Sequence, residues 1–147
     1  MNKFISVIYE KIFRVNDTPH KIALGFGLGI FAGILPGTGP LAALFLALIF
    51  RANRATALFS SLIINTWFSL VTFVFAIKIG SAILGLNLQK VSEDFFQAVK
   101  GFNWLASLKF SFLKVVIPVV FGYLIISLFL GAVCYLFVFL ALKIYKR

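Results

Sequence analysis

A Pro/Gly segment divides the first long apolar stretch of the chain into two short pieces. The segment is PGTGP at 36–40, and the apolar pieces on either side occupy 22–35 and 41–50. At 1.5 Å per residue they would form helices of about 21 Å and about 15 Å, whereas the hydrocarbon core of a bilayer is about 30 Å thick. Neither piece spans that thickness comfortably, so we expect a re-entrant hairpin whose two ends return to the same side of a membrane. The alternative is a pair of thin, tilted spans with the Pro/Gly segment at the far surface.

Composition is the reason for placing these pieces in a membrane. Apolar residues make up 62% of the 147-residue chain and charged residues 12%, against roughly 45–50% and about 25% in an average soluble domain. A soluble domain of this length has too little interior to bury so much apolar surface. Soluble enzyme folds are therefore excluded, and the sequence predicts an integral membrane protein.

Two later apolar runs, at 55–84 and 115–142, have the roughly 20 residues that a membrane-spanning helix needs. We predict a transmembrane helix in each. Between them, the mixed segment 85–114 predicts a short interfacial helix that starts near Ser92 and ends near Gly101.

Residues 2–14 place basic and polar residues opposite an apolar face, which predicts an amphipathic helix in the membrane interface. Packing of that face on the protein's own helices is the alternative. The expected fold is an all-α, polytopic membrane helical bundle with a short-helix re-entrant hairpin, two full transmembrane helices and interfacial amphipathic helices. We assign one membrane domain, 1–147. It consists of an interfacial helix (1–17), the hairpin with the first transmembrane helix (18–84), an extracytoplasmic interfacial segment (85–114), and the last transmembrane helix with a basic tail (115–147).

Basic residues outnumber acidic ones, 14 to 4, and the net charge is +10. If residues 22–50 form a hairpin, most of the basic residues lie on one side of the membrane. The positive-inside rule then places that side, and both termini, in the cytoplasm. The residues on this side are Lys3, Lys11, Arg14, Lys21, Arg51, Arg54, Lys143, Lys146 and Arg147.

Glycines recur every fourth residue in the first apolar piece, at Gly25, Gly29 and Gly33. This spacing places them on one face of a helix, where small residues allow a second helix to approach backbone to backbone. Gly131 lies on a comparable face of the last apolar run. We interpret these four glycines as helix-packing residues.

The Pro/Gly turn is a candidate binding site for an anion. Gly37 and Gly39 leave the backbone free to point N–H groups at a ligand, and Thr38 adds a hydroxyl. The helix that follows presents its N-terminus there, which favours negative charge. The alternative is a turn without a ligand.

A polar stripe is predicted along the helix at 55–84. On one continuous helix, hydrocarbon would not tolerate such a row, so it must face the bundle or water. It forms either interhelical hydrogen bonds or a path for a solute or lipid headgroup. The stripe consists of Arg54, Ser61, Asn65, Ser69 and Thr72.

Residues that carry enzyme chemistry are scarce. The chain has one His and one Cys, and its four acidic residues lie outside the apolar runs. No nucleophile–base pair, paired carboxylate or metal-ligand cluster can be recognised. We therefore expect no enzyme activity, no cofactor, no metal site and no nucleic-acid partner.

Spaced Gly, Pro and Asn residues between 18 and 84 form a specific pattern. The residues are Thr18-Pro19, the segment IALGFGLGIFAG at 22–33, and then Pro36, Gly39, Arg51, Asn53, Asn65 and Gly80. This pattern resembles the bacterial membrane family catalogued as domain of unknown function 2062. Members often have Asn-Pro where this chain has Asn65-Thr66, so a continuous helix is expected here. The resemblance implies a bacterial inner-membrane location and no known activity. Fusion of some members to glycosyltransferase-like domains implies a role in lipid-linked sugar or cell-envelope metabolism.

These observations favour a small transporter or translocase for an anionic lipid or lipid-linked headgroup. Arg51 and Arg54 would attract a phosphate, and the amides at 37–39 together with Asn65 would receive it, while the lipid tail stays in the bilayer. A non-catalytic scaffold or partner of an envelope-biogenesis enzyme is the alternative, and a small-ion channel is a third interpretation. The expected partners are the bilayer, anionic lipids, and either further copies of the chain or another membrane protein.

Overall fold

The computed structural model describes residues 17–37, 39–64, 66–100 and 110–145. Within these ranges the chain is all-helical, as predicted, with six helices and no strand. The predicted amphipathic helix over 2–14 lies outside the described residues, as do Thr38, Asn65 and Gly101. The helices are α1 (Pro19–Ile34), α2 (Gly39–Ile49), α3 (Arg54–Ile63), α4 (Thr66–Ile83), α5 (Leu88–Lys100) and α6 (Phe110–Tyr145).

The chain divides into two compact units. The first contains α1, α2, α3 and the part of α6 from Ser127 onward, and the second contains α4, α5 and the part of α6 up to Ile126. In the first unit α1 packs against both α2 and α3, and α2 also packs against α3. The predicted pair of short helices joined at the Pro/Gly turn is thus α1 and α2.

Local sequence signals position both ends of α1. Thr18 is the N-cap, and its hydroxyl accepts a hydrogen bond from the Lys21 backbone N–H. Pro19 occupies the first turn, where its missing N–H is not needed. The helix ends at Ile34 because Pro36 disfavours helical backbone at the residue before it, which is extended.

The apolar run 55–84 is not one continuous helix. Helix α3 ends at Ile63, and Ile64 has an extended backbone with φ −74° and ψ 109°. The prediction of a continuous helix was therefore wrong: the helix is interrupted here even though position 66 is Thr and not Pro. Successive β-branched residues and an Asn lower the helix propensity here.

Helix α6 is the one described helix that is long and apolar enough by itself to cross a membrane. Its candidate span, Val116–Tyr145, has 30 residues. Residues Arg54–Ile63 and Phe68–Ile83 reach that length and apolarity only when they are taken together as one broken span. The described part of the chain thus contains one clear candidate span and a second conditional one.

In the second unit, α4 and α6 approach each other closely at two glycines. A Cβ on Gly80 would collide with the Pro118 carbonyl oxygen, and one on Gly122 would collide with the Ala76 carbonyl oxygen. Both positions require Gly because backbone atoms fill the space where a side chain would lie.

Helix α5 begins at Leu88, earlier than the predicted start near Ser92. The Asn87 side chain accepts a hydrogen bond from the Gln89 N–H, and Ser92 instead lies inside the helix with its hydroxyl donating to the Leu88 carbonyl. Phe95 packs on Phe73 of α4, with ring centroids 4.9 Å apart.

Large apolar side chains are exposed on every described helix except α1. Leu41 is 80% exposed and Phe137 is 74% exposed, and many other large apolar side chains are also exposed. Monomeric soluble proteins rarely expose contiguous apolar surface on this scale. Such a surface suits hydrocarbon, whereas the large apolar side chains of α1 are buried or half-buried.

Candidate functional site

Basic side chains gather at one end of the first unit. The backbone N–H of Asn53 donates to the Lys21 carbonyl at 3.0 Å, which places the loop between α2 and α3 beside the first turn of α1. Arg51 and Arg54 flank Asn53, and their side chains and that of Lys21 are exposed. We call Lys21, Arg51 and Arg54 the basic end.

The buried side chain of Asn53 holds the basic end together. Its Oδ1 accepts a hydrogen bond from the Thr56 N–H at 2.9 Å and so caps α3. Its Nδ2 donates to Asp17 Oδ2 at 2.8 Å. Asp17 also lies 3.8 Å from the Lys21 ammonium. One buried amide thus connects the start of α3 to the residues that precede α1.

Arg51 has a left-handed backbone at the C-terminus of α2, with φ 52°. The Ala52 N–H donates to the Ala47 carbonyl and the Arg51 N–H to the Leu48 carbonyl, which together form a Schellman motif. The left-handed position of this motif is usually Gly, because a Cβ is unfavourable there.

The same motif ends α4 with the expected residue. There the Leu86 N–H donates to the Ser81 carbonyl, and Gly85 takes the left-handed position with φ 64°. The chain therefore places Arg in a backbone conformation for which it uses Gly elsewhere. Unfavourable backbone geometry of this kind is often retained where the side chain has a function.

The Pro/Gly turn lies at the opposite end of α1 from the basic end. Gly37 and Gly39 have positive φ angles of 80° and 47°, and nothing lies within 4 Å of a Cβ built on either. Gly is therefore favoured at these two positions by the positive φ angle, and not by a lack of room for a side chain. The turn is open, and Thr38, the third predicted residue of the anion site, lies outside the described residues.

The glycine face of α1 packs against α3 of the same chain. A Cβ on Gly25 would collide with the Asn53 carbonyl and the Thr56 hydroxyl, and one on Gly29 would collide with the Ser60 hydroxyl. At Gly33 the contact is looser, since the Ser61 carbonyl would be 3.0 Å away.

Thr56 and Ser60 form the polar part of this contact, and neither was among the residues predicted from the sequence. Thr56 Oγ1 donates to the Ile22 carbonyl at 3.2 Å, and Ser60 Oγ donates to the Thr56 carbonyl at 2.8 Å. The four-residue spacing of small residues, which matches the glycine spacing of α1, is the signal that indicates them.

The predicted polar stripe does not lie on one helix. Because α3 ends at Ile63, Arg54 and Ser61 belong to the first unit, whereas Ser69 and Thr72 lie on α4 in the second. Asn65 lies outside the described residues.

Two hydroxyls of the stripe donate to backbone carbonyls of their own helices. Ser61 Oγ donates to the Leu58 carbonyl at 2.8 Å, and Thr72 Oγ1 donates to the Phe68 carbonyl at 2.7 Å. At Ser69 the backbone carbonyl accepts from the Tyr123 hydroxyl at 3.3 Å. The hydrogen bonds of Ser61 and Thr72 lie within single helices, so only the one between Tyr123 and Ser69 joins two helices, as the packing interpretation expects.

An apolar groove lies between α1, α2 and the C-terminal part of α6. Its volume is about 470 Å³, and almost all of its lining atoms are apolar. Helix α6 runs antiparallel to α1, since Gly131 faces Gly27 and the Tyr135 hydroxyl lies 2.9 Å from Nδ1 of His20. The lining includes Leu24 and Phe31 of α1, Leu46 and Phe50 of α2, and Ala132 and Tyr135 of α6.

The groove begins at the basic end. Leu24 lies one helical turn after Lys21, and Phe50 directly precedes Arg51. A molecule in the groove would therefore have hydrocarbon walls along its length and cationic side chains at one end. Among the described residues, no three His, Cys, Asp or Glu side chains gather in a way that could hold a metal ion.

Comparison with known families identifies the chain. The family described as "Uncharacterized protein conserved in bacteria (DUF2062)" matches residues 2–147. The chain belongs to this family, which confirms the resemblance seen between residues 18 and 84 and extends it over nearly the whole sequence. No curated protein and no solved structure matches the chain.

Proposed function

We propose that this DUF2062 protein is a multi-pass protein of the bacterial inner membrane that binds an anionic lipid or lipid-linked headgroup and translocates it. The observation that supports this proposal is the junction of the basic end with the apolar groove in one compact unit. An anionic lipid needs a basic surface next to an apolar one, because its headgroup binds cations and its chains partition into hydrocarbon.

Helix lengths support a re-entrant hairpin. Helix α1 has 16 residues and α2 has 11, which correspond to about 24 Å and about 17 Å. Both are shorter than the hydrocarbon core of about 30 Å, whereas the candidate span in α6 is about 45 Å long. In the proposed topology the hairpin therefore enters and leaves on one side. Helices α3 and α4 together form a broken second span.

Basic residues support the orientation. Both ends of the hairpin carry them, at Lys21 and at Arg51, and Lys143 follows near the C-terminus of α6. Because α6 runs antiparallel to α1, Lys143 lies beyond the start of α1 in the direction of the basic end. The positive-inside rule then favours the cytoplasm for this side.

The basic end has the properties of a headgroup site. Its two arginines are exposed, and guanidinium groups form charge-assisted, bidentate hydrogen bonds with phosphate oxygens. The unfavourable backbone of Arg51 supports a role for its side chain, since Gly would take the same conformation at lower energy. Translocation makes and breaks no covalent bond, so the proposed function involves no enzyme activity and no cofactor.

The scaffold alternative has less support. The glycine spacing of α1 would allow a helix of another protein to approach, but Gly25, Gly29 and Gly33 face α3 of the same chain. A partner would need a different surface. Additional copies of the chain remain part of the proposal, because one short chain provides few helices to enclose a translocation path.

Reconstitution tests the proposal. Vesicles containing the full chain and a fluorescent phosphatidylglycerol are treated with dithionite, which bleaches only the outer leaflet. We expect faster loss of inner-leaflet fluorescence than in empty vesicles, and a reduction of at least fivefold in that rate for the double variant Arg51→Gln and Arg54→Gln. The matched control, Lys90→Gln on α5, should keep the wild-type rate. A rate that is unchanged in the double variant would contradict the assignment of the headgroup site.

A further inference from the structure

We propose that the apolar groove between α1, α2 and α6 holds one hydrocarbon chain of an anionic lipid, whose headgroup lies at the basic end. This inference deepens the proposed function and depends on it for the choice of headgroup. The groove itself rests on separate observations, which concern its floor, its lining and its length.

The floor of the groove is formed by two glycines. A Cβ on Gly27 would lie 2.7 Å from the Gly131 carbonyl oxygen, and a Cβ on Gly131 would lie 3.0 Å from the Gly27 carbonyl oxygen. Helices α1 and α6 therefore approach each other through their backbones, and the side chains of Phe31 and Tyr135 begin beside this contact. All four residues line the groove, and α2 contributes its third wall.

The lining of the groove favours hydrocarbon over a polar occupant. Nearly all lining atoms are apolar, so a polar solute would lose hydrogen bonds to water without replacing them. The ring of Tyr135 contributes to the lining, while its hydroxyl is engaged with His20 at the edge.

The dimensions suit part of a single chain. Between Leu24 and Phe31 the groove follows about 10 Å of helix axis at 1.5 Å per residue. Its volume of about 470 Å³ is within the range of about 300–1,000 Å³ that is typical of small-molecule sites. The groove is neither enclosed nor flat, so its lining is accessible from outside the protein.

Charge determines the orientation of the occupant. Lys21 lies one helical turn before Leu24, and Arg51 is adjacent to Phe50, so cations lie where the groove begins. The far end, near Phe31, leads toward the Pro/Gly turn, and no charged residue belongs to the lining itself. Because Lys21 and Arg51 both adjoin the end at Leu24 and Phe50, we expect the phosphate group of the lipid there.

Native mass spectrometry of the full chain in a nonionic detergent tests the inference by counting bound molecules. The probes are dioleoyl phosphatidylglycerol, dioleoyl phosphatidylcholine, oleoyl lysophosphatidylglycerol and glycerol 3-phosphate. We expect the wild type to retain one phosphatidylglycerol, to bind the one-chain lysolipid comparably, and to bind glycerol phosphate at least tenfold more weakly. Equal binding of glycerol phosphate and the lysolipid would overturn the inference, since it would indicate a phosphate site without a chain site.

Variants separate the groove from the headgroup site. Ala132→Phe fills the groove and should weaken phosphatidylglycerol binding at least tenfold. Val133→Phe, its neighbour outside the lining, should stay within twofold of wild type. Arg51→Gln should remove the preference for phosphatidylglycerol over phosphatidylcholine. Wild-type binding by Ala132→Phe would overturn the inference, and the lysolipid comparison, made on the wild type, does not depend on how the variant folds.

The two proposals fail separately. If Ala132→Phe keeps its lipid while the wild type translocates phosphatidylglycerol, the groove inference is wrong and the function stands. If the wild type binds lipid in a groove-dependent manner but does not translocate it, the function is wrong and the groove assignment stands.

Discussion

Asn53 Nδ2 donates a 2.8 Å hydrogen bond to Asp17 Oδ2, across 36 residues of sequence. The same amide group caps α3 through its oxygen. With only 3% of its surface exposed, Asn53 makes two contacts that water would otherwise provide. This one residue sets where α3 begins relative to α1, and so positions the arginines on either side of it.

The first prediction concerns this amide. Asn53→Ala should lower the free energy of unfolding by about 1–3 kcal/mol, because it removes a helix cap and leaves buried groups without partners. Asn87→Ala removes the exposed cap of α5 and should cost less. Thermal unfolding in detergent, followed by circular dichroism, measures both, and an equal effect of the two substitutions would contradict the assigned role.

A pair of substitutions that exchanges the amide and the carboxylate tests the same contact more specifically. Asn53→Asp keeps a capping oxygen but places a carboxylate against Asp17, so the variant should be destabilised by repulsion. Adding Asp17→Asn should restore much of the lost stability, since the amide and carboxylate are simply exchanged. Failure of this rescue would show that the hydrogen bond is not what positions the loop.

The second prediction concerns the contact between α1 and α3. Gly29→Ala should destabilise the protein by about 1–3 kcal/mol, because its Cβ would meet the Ser60 hydroxyl and the Ala57 carbonyl. Gly33→Ala should cost less than half as much, since the Ile64 side chain and the Ser61 carbonyl lie 3.0 Å from the added atom.

Rescue distinguishes packing within the chain from packing on a partner. The double variant Gly29→Ala with Ser60→Ala should recover part of the loss, because it removes one of the two obstructing groups, the Ser60 hydroxyl, without placing a Gly inside α3. The remaining loss reflects the Ala57 backbone. If Gly29→Ala has wild-type melting behaviour, α3 does not occupy this face as described.

The third prediction concerns the backbone of Arg51. Arg51→Gly should raise the free energy of unfolding by about 1 kcal/mol, because Gly adopts φ 52° without the unfavourable Cβ contact. The same variant should lose translocation or binding of phosphatidylglycerol. Gly85→Arg, at the matching position after α4, should lower stability by a similar amount.

A gain in stability combined with a loss of lipid binding would assign Arg51 to function. Melting curves and the lipid-binding measurement are made on the same preparations, so that the two effects are compared directly. A decrease in stability for Arg51→Gly would mean that the side chain stabilises the fold, contrary to its exposure.

The fourth prediction concerns the topology of the hairpin. In a Cys134→Ala background, Pro36→Cys at the exposed turn should not react with a membrane-impermeant maleimide added outside intact cells. Lys143→Cys should react only after the inner membrane is permeabilised, and Lys90→Cys should react from outside. Labelling of position 36 from outside alone would indicate two thin spans and would overturn the re-entrant hairpin.

The ends of α1 and the turn after it were predictable because the residues responsible are neighbours in sequence. Thr18 and Pro19 start the helix, and Pro36 ends it by restricting the residue before it. Such signals act over a few residues, so they are the same in the sequence and in the folded chain. The division of the apolar stretch into α1 and α2 followed from them.

The break after Ile63 and the composition of the site were not predictable in the same way. Residues 55–84 are predominantly apolar, and no Pro or Gly marks the place where α3 ends. The polar stripe was predicted on the assumption of one continuous helix. Because the structure has two helices there, the residues of the stripe lie in different units. Thr56 and Ser60 were missed because their four-residue spacing matches the glycine spacing of α1, and this match has a meaning only when the two helices are known to pack together.

The sequence by itself determined the all-α class, the short-helix pair and membership in the family, since apolar content, Pro/Gly positions and capping residues act locally or in bulk. The tertiary structure alone decided which helix covers the glycine face, that Arg51 is held in a left-handed conformation, and that a hydrocarbon-lined groove begins next to residues with basic side chains. These features depend on contacts between residues far apart in the chain. Because many partners are compatible with a stripe of glycines, only the packed structure identifies the one that is used.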